Sequence, residues 1–168
     1  MKKYLILLFV FVLIGIYSCQ ELQVPKQYFD ASPEIDLVKT TFDAVLNQDW
    51  ETYRSCYSDT AKIWENTDFL DPGISIDKVI ESMKSFIPLY TNYSYENQVW
   101  EMIIDNKGET WVYVWAKFVG KLSEVDDDIV IPFHTAYRVT GDKIVYEYGF
   151  WDNLPIYLAM QALETEDK

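Results

Sequence analysis

The chain reads as one α+β domain behind an N-terminal export segment, and three observations predict it. An uncharged apolar run follows two lysines at the very start. Apolar residues then recur at helical spacing as far as residue 87. From residue 93 onward, four long segments rich in β-branched and aromatic residues are separated by turn-forming breaks. Helices with one apolar face must bury it, and the face of a curved antiparallel sheet is where three of them would go.

The opening, Met1-Lys2-Lys3 and then an uncharged stretch to Ile16, is shorter than the roughly 20 residues a membrane-spanning helix needs. It has the layout of a secretory signal: a basic head, a brief apolar run, and a small residue before the cut. The run ends Ile16-Tyr17-Ser18-Cys19, which resembles the lipobox of bacterial lipoproteins; Tyr17 is bulkier than that pattern prefers. The resemblance implies a diacylglycerol on Cys19, cleavage just before it, and a domain held at a membrane of the bacterial cell envelope, on its periplasmic or cell-surface side. Two or more acyl chains anchor a domain stably, whereas one does not. Residues 1–18 are then the signal, 19–33 the lipidated cysteine and a tether, and 34–168 the domain. Cleavage takes away two lysines and no acid, moving the net charge from −13 to −15. So acidic a chain repels phosphate backbones, so nucleic acid is excluded as a partner, and membrane contact falls to the lipid. With Cys19 acylated, Cys56 has no partner for a disulfide and reads as a small buried hydrophobe.

Within the domain, Ser32-Pro33-Glu34 is a helix start, with a capping hydroxyl, proline at the first helical position and an acid in the first turn. Val38, Phe42, Val45 and Leu46 continue that helix to Asn47. Asp49 caps a second, short one carrying Trp50, Tyr53 and Tyr57. Residues 60–67 form a first strand around Ile63 and Trp64, and Asp71-Pro72-Gly73 a turn. Ser75 caps a third helix, ended by Pro88. Residues 93–104, 109–122, 129–140 and 143–152 follow as an antiparallel meander, and residues 153–163 close as a helix.

This order resembles the NTF2-like superfamily and, within it, the SnoaL-like group, over roughly residues 34–163. The pieces that carry the resemblance are "NQDWETYRSCYSDTAKIW" after the first helix and the late phrase Tyr137-Arg138-Val139, Lys143-Ile144-Val145, Phe150-Trp151-Asp152. The resemblance implies a cone of helices and sheet around a pocket for a small, often apolar molecule, with the other sheet face as a homodimer contact. Six tryptophans and thirteen tyrosines suit such a pocket. Trp111, Tyr113 and Trp115 alternate on one strand, and Tyr146, Tyr148 and Phe150 on another, so each trio shares a sheet face. With Trp64 and Arg138 they are the candidate lining, packing against the helices being the alternative. Arg138 equally suits pairing with a carboxylate.

Enzymes of this superfamily do proton-transfer chemistry with a His, Asp, Tyr or Arg in the pocket. His134 is the only histidine and shares a strand face with Ala136 and Arg138. His134 and Asp152 are the candidate catalytic pair; the plainer roles are a strand histidine bonded to a neighbour, and an acid capping the last helix. In the cyclase members the acid follows the "KIV" segment by a few residues, and there only Glu147 is acidic. No glycine-rich phosphate loop, HExxH, Cys/His metal spacing or nucleophile elbow occurs, so neither metal nor cofactor is expected. Three readings stay open: a noncatalytic envelope module binding a small apolar or aromatic ligand, a cofactor-free isomerase, dehydratase or cyclase using His134 and an acid, and a protein-interaction or dimerisation module.

Overall fold

The computed structural model describes residues 28–67, 71–123, 125 and 127–166. The signal, Cys19 and most of the tether, along with Asp68 and Asp126, lie outside the described residues. Helix α1 (Pro33–Leu46) starts where the sequence places it, with Ser32 Oγ accepting from the Ile35 amide at 3.1 Å. One of the orphan amides of the first turn is thereby satisfied. Gln48, at φ 53°, turns the chain into α2 (Trp50–Ser55), which Asp49 caps through the Thr52 amide at 3.0 Å. Ser75 starts α3 (Ile76–Phe86), and a single 3-10 turn at Pro88 ends it. Helix α4 (Leu154–Glu166) is the last helix among the described residues.

Six strands form one sheet: β1 (Tyr28–Phe29), β2 (Tyr57–Glu65), β3 (Tyr90–Ile104), β4 (Thr110–Leu122), β5 (Ile129–Thr140) and β6 (Lys143–Trp151), in the order β1-β3-β4-β5-β6-β2. Strands β3 to β6 are the expected antiparallel meander. The sheet as a whole is mixed, which corrects the expectation of an antiparallel one: β2 runs parallel to β6. Because α3 and three strands separate β2 from β6 in the chain, no hairpin constrains their direction, and β2 takes the free edge of β6 the other way round. Tyr28 and Phe29, which fell in the expected tether, pair with Ile103 and Met102 and form the opposite edge.

Two of the sheet's register irregularities bear on the site. In β3 the register breaks between Glu96 and Val99, where Asn97 has φ 52°, and the strand bends there as bulged strands do. In β6, Ile144 pairs with Val139 but Tyr146 pairs with Arg138, so Val145 is an extra residue. A bulge resets which side chains point which way. Ile144 enters the core, and past the bulge Glu147 turns toward the same side while Tyr146 and Tyr148 turn away.

The main core lies between the helices and one sheet face, with Ile35, Val38, Ile63, Val112, Val114 and Ile144 at its centre, all at most 1% exposed. A smaller cluster, Tyr90, Leu122, Ile129 and Ile131, takes Ile156 and Ala159 of α4 at one end. Ile63→Ala should therefore cost about 3 kcal/mol of stability in urea denaturation through lost burial and a residual cavity. Val130→Ala, on the opposite face and 44% exposed, should stay within about 0.5 kcal/mol.

Candidate active site

A cavity of about 240 Å³ lies between the helices and the sheet. That is room for on the order of ten non-hydrogen atoms, at ~30 Å³ for each water-sized volume. Phe42 of α1, Tyr53 of α2, and Val79, Met83 and Phe86 of α3 form the helical wall. Tyr95, Phe118, Phe133, Tyr137 and Trp151 form the sheet wall, and Ile156 of α4 meets them at one end. The rings hold each other: Phe42 stands edge-on to Tyr95 at 4.7 Å between centroids and stacks on Phe133 at 6.1 Å. Edge and offset contacts of this kind add to the stability that burial alone supplies.

Against this apolar background two carboxyl groups reach the cavity, Glu147 from β6 and Glu65 from the end of β2. Tyr57 Oη donates to Glu147 Oε2 at 2.6 Å, and the Tyr53 and Tyr57 hydroxyls are 3.2 Å apart. Tyr57 has one proton, so when it serves the carboxylate, Tyr53 must supply the proton between the two rings. Tyr137 brings another hydroxyl to the same carboxyl. These three tyrosines are buried, and burial holds each of them well above the ordinary tyrosine range. Glu147 is accessible only in part. Loss of solvation pushes its pKa up to about 7, the Tyr57 hydrogen bond opposes that rise, and the charge of Glu65 adds to it. Glu65 is more exposed; partial desolvation raises it too, and no hydrogen bond or ion pair holds it among the described residues. No lysine, arginine or histidine is among the lining residues described.

The expected lining is on the other side of the sheet. Trp64, Trp111, Tyr113, Trp115, Arg138, Tyr146 and Tyr148 all lie away from the cavity and make a ladder of rings on the outer face. Trp64 stacks on Tyr148 at 4.7 Å, and Trp115 stacks on His134 at 4.0 Å. The trios do share a face, as period two requires; the face is the one turned from the helices. Arg138 pairs with Glu109 at 2.9 Å and lies over the Tyr146 ring. His134 is on the outer face, its Nδ1 donating to the Val114 carbonyl at 3.0 Å, so it does not meet the cavity or an acid there. Asp152 is exposed, and its Oδ1 accepts from the Leu154 amide at 2.9 Å, capping α4. The structure does not bring His134 and Asp152 together as a pair. The acid that reaches the cavity is Glu147.

A carboxyl whose pKa is raised by folding favours the folded state when protonated. Its contribution is complete below its ordinary value and is lost as pH rises through about 7. The shift corresponds to about 3 kcal/mol. In urea denaturation at a series of pH values, Glu147→Gln should abolish this part of the pH dependence. The variant should gain on the wild-type protein between pH 5 and pH 8, the difference levelling off above 8.

No protein-family model and no curated protein matches the chain. Solved structures do match. One is a protein from Shewanella denitrificans described as a SnoaL-like polyketide cyclase, 14% identical with TM-score 0.60, covering 79% of this chain and 99% of its own. Another is an NTF2-like protein from Burkholderia xenovorans, 12% identical with TM-score 0.58, covering 78% and 98%. A third is a protein from Catenulispora acidiphila with a ketosteroid isomerase-like fold, in complex with trimethylamine, 12% identical with TM-score 0.53, covering 71% and 86%. At these identities the likeness is one of fold, and the chain has the α+β architecture of the SnoaL-like and NTF2-like proteins.

Proposed function

We propose that the cavity is a cofactor-free proton-transfer site for a small, largely apolar molecule, with Glu147 as the acid–base group. Glu147 carries this reading: a carboxyl facing an apolar cavity with a pKa near 7 exists in both forms at neutral pH. A group so poised takes a proton from one position of a bound molecule and returns it at another, which is the elementary act of isomerisation, dehydration and cyclisation. Tyr57 fixes the carboxyl orientation, and the buried hydroxyls of Tyr53 and Tyr137 keep the carboxylate form accessible. The aromatic walls exclude bulk water and grip hydrocarbon. Support from outside the chain is of fold and kind: one structural neighbour is described as a polyketide cyclase, another as an isomerase from Bacillus subtilis. Binding without turnover is the second reading. It is favoured by the absence, among the described lining residues, of any cationic side chain to stabilise a developing oxyanion.

Benzisoxazole tests the chemistry without knowledge of the natural substrate. A desolvated carboxylate takes its ring C–H proton as the N–O bond breaks, releasing a phenolate that is followed by absorbance. The protein should accelerate this ring opening about a hundredfold or more over Glu147→Gln. The rate should rise with pH through about 7 as the carboxylate forms. Equal rates in the two proteins would leave only the binding reading.

The same proposal places the domain at a bacterial membrane through lipid on Cys19, on the strength of the Lys2-Lys3 head, the apolar run and the Ile16–Cys19 pattern. Cys19→Ser should abolish incorporation of labelled fatty acid into the protein and leave the signal uncleaved. The wild-type precursor should accumulate when lipoprotein signal cleavage is blocked with globomycin. A wild-type protein carrying an unmodified thiol at Cys19 would contradict the anchor.

A further inference from the structure

Resting on the acid–base reading of Glu147, we infer that the molecule this cavity takes is a small organic cation, an ammonium group carried on an apolar body. Three observations on the cavity point the same way. The first is charge: the only ionisable groups among its described lining that carry charge near neutral pH are the carboxyls of Glu65 and Glu147, and no cationic side chain offsets them. The second is the wall. Phe42, Tyr53, Tyr95, Phe118, Phe133 and Trp151 surround the same space with ring surfaces, and ring faces attract an ammonium group strongly once it has left water. The third is what each carboxyl lacks. Glu147 has tyrosine hydroxyls but no counter-charge, and Glu65 has neither a hydrogen bond nor an ion pair among the described residues.

Physical chemistry then decides between guest classes. An anionic guest meets two acids and no cation, so it is repelled. A neutral apolar guest fills the walls but displaces water from around Glu147 and returns no charge to its carboxyl. A cation alone answers the charge that the fold leaves unbalanced. Its arrival favours the ionised form of both acids, so binding releases protons whenever Glu147 begins protonated. The groups facing Glu147 are Tyr53 from α2, Tyr57 and Glu65 from β2, Tyr95 from β3 and Tyr137 from β5. The tyrosines stay neutral through the working pH range, since burial holds all four above their ordinary value. The proton count therefore belongs to the two glutamates.

The experiment compares choline with dimethylbutanol, its neutral isostere in which carbon replaces nitrogen, by calorimetric titration of the full domain. Choline should bind at least about tenfold more tightly than the isostere at pH 8, and the ratio should shrink toward one at pH 5. At pH 7 choline binding should release protons, read as a dependence of the heat on the buffer. Glu147→Gln and Glu65→Gln should each weaken choline severalfold and narrow its preference over the isostere. Tighter binding of dimethylbutanol, or equal binding at pH 8, overturns the inference while leaving the acid–base reading to the benzisoxazole assay. Binding of neither probe overturns it as well. Loss of the benzisoxazole activity alongside intact choline selectivity would instead remove the proton-transfer reading and keep the cation site.

Discussion

Glu147 has its carboxyl in the wall of an aromatic cavity with hydroxyl groups for company and, among the described residues, no cation, and much of the domain is arranged around that fact. A carboxylate placed in such surroundings loses hydration that hydrogen bonds replace only in part. The Tyr57 hydroxyl, 2.6 Å away, comes from the start of β2, and Tyr53 behind it comes from α2. One side-chain bond thus ties the last strand to the first long one, across the parallel pairing of β2 with β6.

The bulge at Val145 is the other half of the arrangement. Without an extra residue there, Ile144 and Glu147 would point to opposite faces, because strand side chains alternate. The bulge lets one strand give a hydrocarbon to the core and, three residues later, an acid to the same side. It also sends Tyr146 and Tyr148 to the outer face, where Trp64 and Trp111 stack against Tyr148. The inward Glu147 and the outward Tyr146 and Tyr148 are consequences of the same local irregularity.

That irregularity explains what was legible beforehand. Helix starts were readable because a cap is a local event: Ser32, Asp49 and Ser75 each accept from an amide three residues on, as their residue types require. The meander was readable because its breaks and β-branched runs are local too. The parallel edge strand was not, since β2 and β6 are joined by no hairpin. For the site, alternation correctly grouped Trp111 with Tyr113 and Trp115, but period two cannot say which group faces the helices when both sets are apolar or aromatic. Val112, Val114 and Ala116 are smaller and fill the inner face, leaving the large rings outside. His134 drew notice as the only histidine, yet rarity carries no information about direction. Glu147 had a fainter signal, a lone acid within an aromatic strand after the "KIV" segment, and its burial follows from a bulge that composition does not announce.

The central claim is that Glu147 is a desolvated carboxyl facing a cavity with no counter-charge among the described residues. It is tested most directly by carbon-NMR titration of the Glu147 side-chain carboxyl in the ligand-free domain, assigned by its disappearance in Glu147→Gln. A midpoint near 7 is the expected result. A midpoint at about 4.3, the value of a glutamate in water, would contradict the account.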